Sequence, residues 1–489
     1  MSGDSEIQDT EKMRVLIVGG TTYTGRFLIE KLLNEGVLLR LLEWNPRRVG
    51  PEISERVEIV RGNSSDPCVM EHACRDIHTA YYIVNIIDTN PALAKLNLII
   101  AARFRDSCIR NGVNRIIYCS DFIPGSSPAR KPNLRKQIGD VLTGKPGRIT
   151  TLWLRYLTLV GAGSLDFEIL NALSEKKIQP VFRWMKNPIP VIGIDDLAEI
   201  MRRAKDIPLK ENTIIDIYSE EETCDNLLKI IERRKNKKRK RMYLRSNNSF
   251  FSTLYLSLFT PVHFSVAREL VKRGRGNFEM NENQNRFLSD MRYFSAGYAI
   301  TRALVEIEQK IETCRWCDSY SDINKHVGDE DIIPEKTLSD RREISFGQIS
   351  PGAVFSSVLD TGGKNGWFKY SRLWRLRGLM DIFVGGYGLN RGKRNSRELR
   401  IGDSIDVWKV ADLVQNKRLL LYAQMKLPGR GWLEFRIEGS VLVQTAYFKA
   451  HGISGRLYWL AMLPFHGLIF RDMARKIIER AERKEKYLM

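Results

Sequence analysis

The segment Gly19-Gly20-Thr21-Thr22-Tyr23-Thr24-Gly25 lies between an apolar run, Met13 to Val18, and a stretch with helical spacing, Thr24 to Glu35. A glycine-bearing turn in that position presents bare peptide N–H groups at a helix N-terminus, where the helix dipole favours negative charge. The chemistry it suits is the grip of a diphosphate. Gly19 permits a tight turn and Gly25 permits close packing of helix on strand. The position between them that is commonly glycine is Thr22, whose hydroxyl either crowds a diphosphate or hydrogen-bonds it. Thr21, Tyr23 and Thr24 complete the candidate contacts. A turn that keeps this shape without a ligand is the alternative.

Glu43 ends the second apolar run, 18 residues after Gly25. A carboxylate about 20 residues beyond the turn accepts hydrogen bonds from the adenosine ribose, which favours NAD. Arg47 and Arg48 follow closely and could instead hold the 2′-phosphate of NADP. NAD is preferred, because a carboxylate repels a phosphate. Asn63, in Arg61-Gly62-Asn63, carries both donor and acceptor for an adenine edge, or serves a simple turn.

The elements that must position these residues follow in order. Strand-like runs at Met13 to Val18, Val37 to Glu43, Val57 to Val60, Thr79 to Val84, Arg115 to Cys119 and Ile149 to Leu154 alternate with helical segments. That alternation predicts a doubly wound α/β Rossmann domain. Residues up to Glu312 add a smaller lobe. Residues 313–342 read as a linker, after which period-two patterning takes over. Leu419, Leu421, Ala423 and Met425 share one face, as do Leu433, Phe435 and Ile437. Phe470, Ala474, Ile477 and Ala481 mark the buried stripe of a closing helix. The expectation is a Rossmann domain over 13–312 and an α+β domain over 343–489, a curved antiparallel sheet covered by a long C-terminal helix.

Residues 13–312 resemble the NmrA-like and YbjT-like branch of atypical short-chain dehydrogenases. The resemblance rests on Gly19 to Gly25, Arg61-Gly62-Asn63, Thr79 to Val84, Arg115 to Tyr118, and Trp153-Leu154-Arg155 before Gly161 to Ser164. It implies a nicotinamide cofactor and oxidoreductase or isomerase chemistry. Departures from the branch are Thr22, Asn63, Asn85 and Ser120-Asp121. Residues 343–483 resemble a domain of unknown function fused behind YbjT-like Rossmann domains and grouped with helix-grip (START/SRPBCC) proteins. Its motifs here are Trp374 to Leu379, Arg391 to Arg394, Gly402-Asp403, Asp406 to Trp408, Lys426 to Arg430, Trp432 to Phe435 and Pro464 to His466. That resemblance implies an apolar ligand cavity, with Trp374, Arg377, Arg391 and His466 as candidate lining residues. Internal Arg–carboxylate pairs are the alternative for the arginines.

Dehydrogenases of this kind usually pass a proton through a tyrosine with a lysine four residues on. Tyr422 and Lys426 have the spacing but fall in the second domain. Around 132–141, Lys136 stands without a tyrosine. Tyr118 and Ser120 remain as substitutes. The chain is therefore expected to be an NAD(P)-binding oxidoreductase or isomerase acting on a small apolar ligand, or a dinucleotide-dependent sensor or scaffold without turnover.

Bulk properties set the surroundings. Seven cysteines, an odd number spread over 489 residues, argue against a disulfide framework and for a reducing, cytoplasmic setting. Cys314 and Cys317 lack a second pair for zinc and are expected at the surface of a helix end. Histidines do not cluster, so no metal is expected. No run of about 18 uncharged apolar residues occurs; Leu457 to Phe470 is shorter and holds Pro464 and His466. The net charge of +20 favours anionic partners, and Arg233 to Arg241 holds eight basic residues in nine. A solvated helix end explains that run, or contact with an anionic membrane surface does; nucleic acid is disfavoured.

Overall fold

The computed structural model describes residues 13–83, 91–121, 134–244, 248–318, 333–363, 366–367, 393–394 and 399–488. The first apolar runs form strands β1 (Arg14–Val18), β2 (Leu38–Glu43), β3 (Glu58–Arg61), β4 (Thr79–Ile83), β5 (Arg115–Ser120) and β6 (Thr150–Arg155). With β10 (Thr213–Asp216) they pair in parallel in the order β10-β6-β5-β4-β1-β2-β3. The reversal beside β1 is the topological switch point of an open parallel sheet, the place in such sheets where ligands sit beyond the carboxyl ends of the strands. Both faces are covered, which is why β1, β4 and β5 are apolar almost throughout. Helices α1 (Tyr23–Leu33) and α7 (Ile194–Arg203) pack on one face. On the other lie α3 (Pro67–Cys74), α4 (Pro91–Arg110) and α5 (Leu134–Leu142). A short helix α2 (Pro51–Ser54) follows β2.

The lobe has its own core. It contains β7 (Thr158–Val160), β9 (Pro188–Gly193) and β11 (Glu220–Thr223) in one small sheet. A parallel pair, β8 (Ile178–Phe182) with β12 (Lys240–Leu244), stands beside it. Around these run α6 (Leu165–Ser174), α8 (Cys224–Arg234), α9 (Ser249–Phe259), α10 (Phe264–Gly274), α11 (Asn283–Phe287) and α12 (Ala296–Gln309).

The second sheet is antiparallel, ordered β13-β18-β17-β16-β15-β14: β13 (Leu338–Ser345), β14 (Ser404–Ile405), β15 (Trp408–Val414), β16 (Arg418–Ala423), β17 (Gly429–Glu438) and β18 (Val441–Ala450). Leu419 faces Phe435 and Leu421 faces Leu433, so the expected apolar faces coincide. Helix α13 (Pro351–Leu359) and the long helix α14 (Gly452–Leu488) cover them, with Phe470, Ala474, Ile477 and Ala481 buried. One boundary differs from expectation. The sheet begins at Leu338, inside the segment read as linker, because β13 is an edge strand paired along its whole length with β18. No helix among the described residues is long and apolar enough to cross a membrane.

Candidate functional site

The turn between β1 and α1 is built as the glycines require. Gly19 has φ +92°, and a Cβ there would lie 1.8 Å from the Ile83 carbonyl oxygen. A Cβ on Gly25 would lie 2.3 Å from the Gly19 carbonyl oxygen. Thr22 caps α1: its hydroxyl accepts from the Gly25 N–H at 3.1 Å and donates to the Gly19 carbonyl at 2.7 Å. The hydroxyl is thus committed to the turn. The first turn of α1 carries no acidic residue to neutralise the positive helix end. Tyr23 and Thr24 are buried. The Tyr23 hydroxyl donates to the Ala162 carbonyl at 3.0 Å, and burial pushes its phenol well above the ordinary range. Tyr23 therefore ties the helix to the turn before α6.

At the carboxyl end of β2, Thr21 donates to the Glu43 carboxylate at 2.7 Å. Glu43 is buried, and the Arg48 guanidinium stands 4.0 Å from its other oxygen. Arg47 points elsewhere: it pairs with Asp412 at 2.6 Å and donates to the Leu413 carbonyl at 2.8 Å, both in the second domain. Arg48 also reaches across, donating to the Asp318 carbonyl at 3.2 Å. Gly402, at φ +94°, leaves room for Arg48; a Cβ there would meet its Nε at 3.0 Å. Arg400 pairs with Glu52 at 3.2 Å. A polar cleft of about 10 Å³ remains among Thr21, Arg26, Arg48, Arg400 and Asp403, the size of one water. The second domain therefore roofs the Trp44–Glu52 connection beside Glu43. Asn63 uses its side-chain oxygen to accept from the Ser65 N–H at 2.9 Å, a local turn contact.

The crossing segment, 312–318, explains the cysteines. Cys314 and Cys317 are buried, not at the surface, and both are free thiols. Burial pushes the Cys314 thiol up to about 12. Gly163, at φ +84°, lets the Cys314 carbonyl approach; a Cβ would lie 2.1 Å from its oxygen. Asp318 accepts from the Ser404 and Arg315 N–H groups at 2.9 Å each. Burial, and then the nearby Asp403 carboxylate, pushes its carboxyl up to about 6. Arg394 pairs with Asp403 at 2.9 Å and donates to the Glu312 carbonyl at 3.0 Å, an internal ion pair of the kind expected as an alternative.

Within β5, Tyr118 is fully buried and donates to the Arg135 carbonyl at 3.1 Å. Burial raises its phenol strongly. Ser120 accepts from the Trp153 indole at 2.9 Å. Neither side chain has the exposure or acidity of a proton relay. Asp121 pairs with Arg135 and lies 3.6 Å from Arg273, which pairs with Asp166 at 2.8 Å. Asp166 and Arg273 stand on the wall of an apolar cavity of about 60 Å³ in the lobe, lined also by Leu170, Trp184, Met185 and Leu227. Sequence reasoning missed this cavity. Its lining comes from four α-helices, two strands and the turn that carries Trp184 and Met185, with no local motif to betray it.

In the second domain, Trp374, Arg377 and Arg391 lie outside the described residues, as does Asn85. His466 sits on α14, stacked on Phe470 with ring centres 4.6 Å apart and edge-on to Trp459 at 5.1 Å. Its Nδ1 is 3.8 Å from Asp340. Burial lowers its pKa against the opposing pull of Asp340. Tyr422 packs on Trp432 in the second sheet, 5.6 Å between ring centres.

A family model described as "Protein of unknown function (DUF2867)" matches residues 332–473. No curated protein matches the chain. Among solved structures, the chain is similar to a triphenylmethane reductase of Citrobacter sp., at 15% identity over 60% of this chain and all of that one, with TM-score 0.49. It is also similar to UDP-glucose 4-epimerase of Thermotoga maritima with UDP-glucose, at 13% identity over 61% of this chain and 100% of that one, TM-score 0.46. WbmH of Bordetella bronchiseptica, in complex with NAD+, gives 12% identity over 61% of this chain and 99% of that one, TM-score 0.46. The Rossmann assignment itself rests on the strand order.

Proposed function

We propose that this chain binds a nicotinamide dinucleotide and is an oxidoreductase or isomerase of the atypical short-chain dehydrogenase kind, acting on a small apolar ligand. The observation that carries it is the Gly19–Gly25 cradle, two positions where any Cβ would strike backbone, at a helix whose first turn carries no acidic residue. The diphosphate would lie on the N–H groups of that turn, and Glu43 beside Thr21 would face the ribose, favouring NAD over NADP. The bound nicotinamide would supply hydride transfer. The chain's own part is to receive the substrate in the lobe cavity, with Arg273 linking its wall to Asp121 at the end of β5. We read the second domain as a helix-grip variant, in keeping with its antiparallel sheet under α14. Calorimetry with NADH and NADPH, then loss of reduced-nicotinamide absorbance against a panel of apolar carbonyl compounds, tests this. Absence of binding by either dinucleotide at millimolar concentration would sink it.

A second reading is a dinucleotide-dependent sensor without turnover. The internal hydrogen bonds of Tyr118 and Ser120 favour it, because they leave no relay at that strand end among the described residues. Tight binding with no oxidation of any panel compound would select it.

A further inference from the structure

The basic run singled out in the sequence lies beside exposed apolar side chains that neither core absorbs. In β12, Lys240 and Met242 stand opposite Ile178 and Pro180 of β8, and Ile178 is 57% exposed. Phe182 of β8 packs on Tyr255 of α9, with ring centres 5.9 Å apart, and Tyr255 packs on Phe259 at 4.9 Å. Phe251, Tyr255 and Phe259 recur every fourth residue, so they share one side of α9. Phe251 is 60% exposed and Phe259 44%. Lysines frame this surface. Lys176 Nζ sits 5.2 Å over the Phe259 ring. The local charge is unbalanced: Lys235, Lys237 and Arg239 share one carboxylate, Glu175. Lys238 and Lys240 are exposed.

We propose that the β8–β12 edge and α9 form a docking surface for an anionic lipid bilayer. Exposed aromatic and aliphatic side chains framed by lysines match an interface with a polar, negative skin over hydrocarbon. Long basic side chains keep their charge at the headgroups while their stems lie along the apolar patch. A phosphodiester backbone would use the lysines but leaves Ile178 and Met242 without a partner, so lipid is favoured over nucleic acid. Arg241 takes no part, being held by Asp225 and Glu232 at 2.9 and 3.0 Å. This surface is independent of dinucleotide binding.

Flotation of the full-length protein with vesicles tests the proposal. Phosphatidylcholine vesicles, alone or with about 30% phosphatidylserine, are compared at about 50 and about 500 mM salt. The protein is expected to float with the anionic vesicles only, more weakly at high salt. The triple replacement Lys237→Gln, Lys238→Gln and Lys240→Gln should weaken binding on the order of 100-fold. The pair Phe251→Ser and Phe259→Ser should remove the portion of binding that resists salt. All five side chains are exposed, and unchanged melting temperatures would verify that both variants fold. No flotation of the parent protein with anionic vesicles, or binding unchanged in both variants, overturns the proposal. So does a salt-sensitive shift of duplex DNA tighter than vesicle binding, which would reassign the surface to nucleic acid.

Discussion

Thr22 occupies the place where a dinucleotide turn commonly has its middle glycine, and it has turned that liability into a cap. Its hydroxyl satisfies one orphan N–H of α1 and one carbonyl of the turn, so it has nothing left for a phosphate. Thr22→Ala should therefore cost about 1 kcal/mol of stability in urea unfolding, while the NADH dissociation constant stays within about twofold by calorimetry. A large loss of affinity would mean that the hydroxyl turns outward to the ligand. Asp318 makes a second residue-scale case. Its folded pKa, about 6, lies above that of an unfolded aspartate. The folded, docked state thus holds its proton more tightly than the unfolded chain. The resulting stabilisation is complete at acid pH and is lost as pH rises from about 4 through about 6. Asp318→Asn, which mimics the protonated form, should flatten stability against pH across that window; melting temperatures at half-unit steps would show an unaltered slope if Asp318 were not responsible.

Elements were legible where burial made them so. The parallel strands are covered on both faces and read as apolar runs between helices, so β1 to β6 were placed within a residue or two. The alternation of Leu419, Leu421 and Ala423 marked a half-buried strand for the same reason. β13 was not legible. Its sequence, Leu338-Ser-Asp-Arg-Arg-Glu-Ile-Ser345, is polar because it pairs on one edge only, and charged side chains are the usual guard of an edge. Cys314 and Cys317 were misplaced for a different reason. Cys314 is buried by tertiary contacts with α1 and Gly163, and Cys317 by the core of the lobe, not by a helix or strand of their own. The helix cover of the second sheet was legible and can be tested. Ile477 is fully buried between α14 and the sheet. Ile477→Ala should cost roughly 2–5 kcal/mol in equilibrium unfolding, and a loss below 1 kcal/mol (about the smallest core effect expected) would show that α14 is a loose cover.

At the scale of the whole molecule, the two domains meet on the connection between β2 and α2. Arg47 is a candidate for a 2′-phosphate because it closely follows Glu43, but its partner Leu413 lies 366 positions away, beyond any local pattern. The contact has a consequence for binding. Glu43 is engaged by Thr21 and screened by Arg48, and Arg48 is in turn held by the Asp318 carbonyl and overlain by Gly402. An adenosine ribose that reaches Glu43 would approach Thr21 and Arg48, two of the residues that line the polar cleft of about 10 Å³ under the second domain. With the ribose placed at Glu43 as proposed, docking of the second domain and seating of the adenosine are expected to oppose each other, each weakening the other by the same factor. Arg400→Ala with Asp412→Asn removes second-domain partners of Glu52 and Arg47 while leaving the Gly19–Gly25 turn and Glu43 untouched. That double variant should bind NADH about tenfold more tightly by calorimetry, within the range of ordinary coupling energies. Small-angle scattering should show the parent protein expanding as NADH is added, with the variant already expanded before addition. Weaker binding by the variant would reverse the sign of the coupling and make the second domain a wall of the nucleotide pocket instead of its competitor.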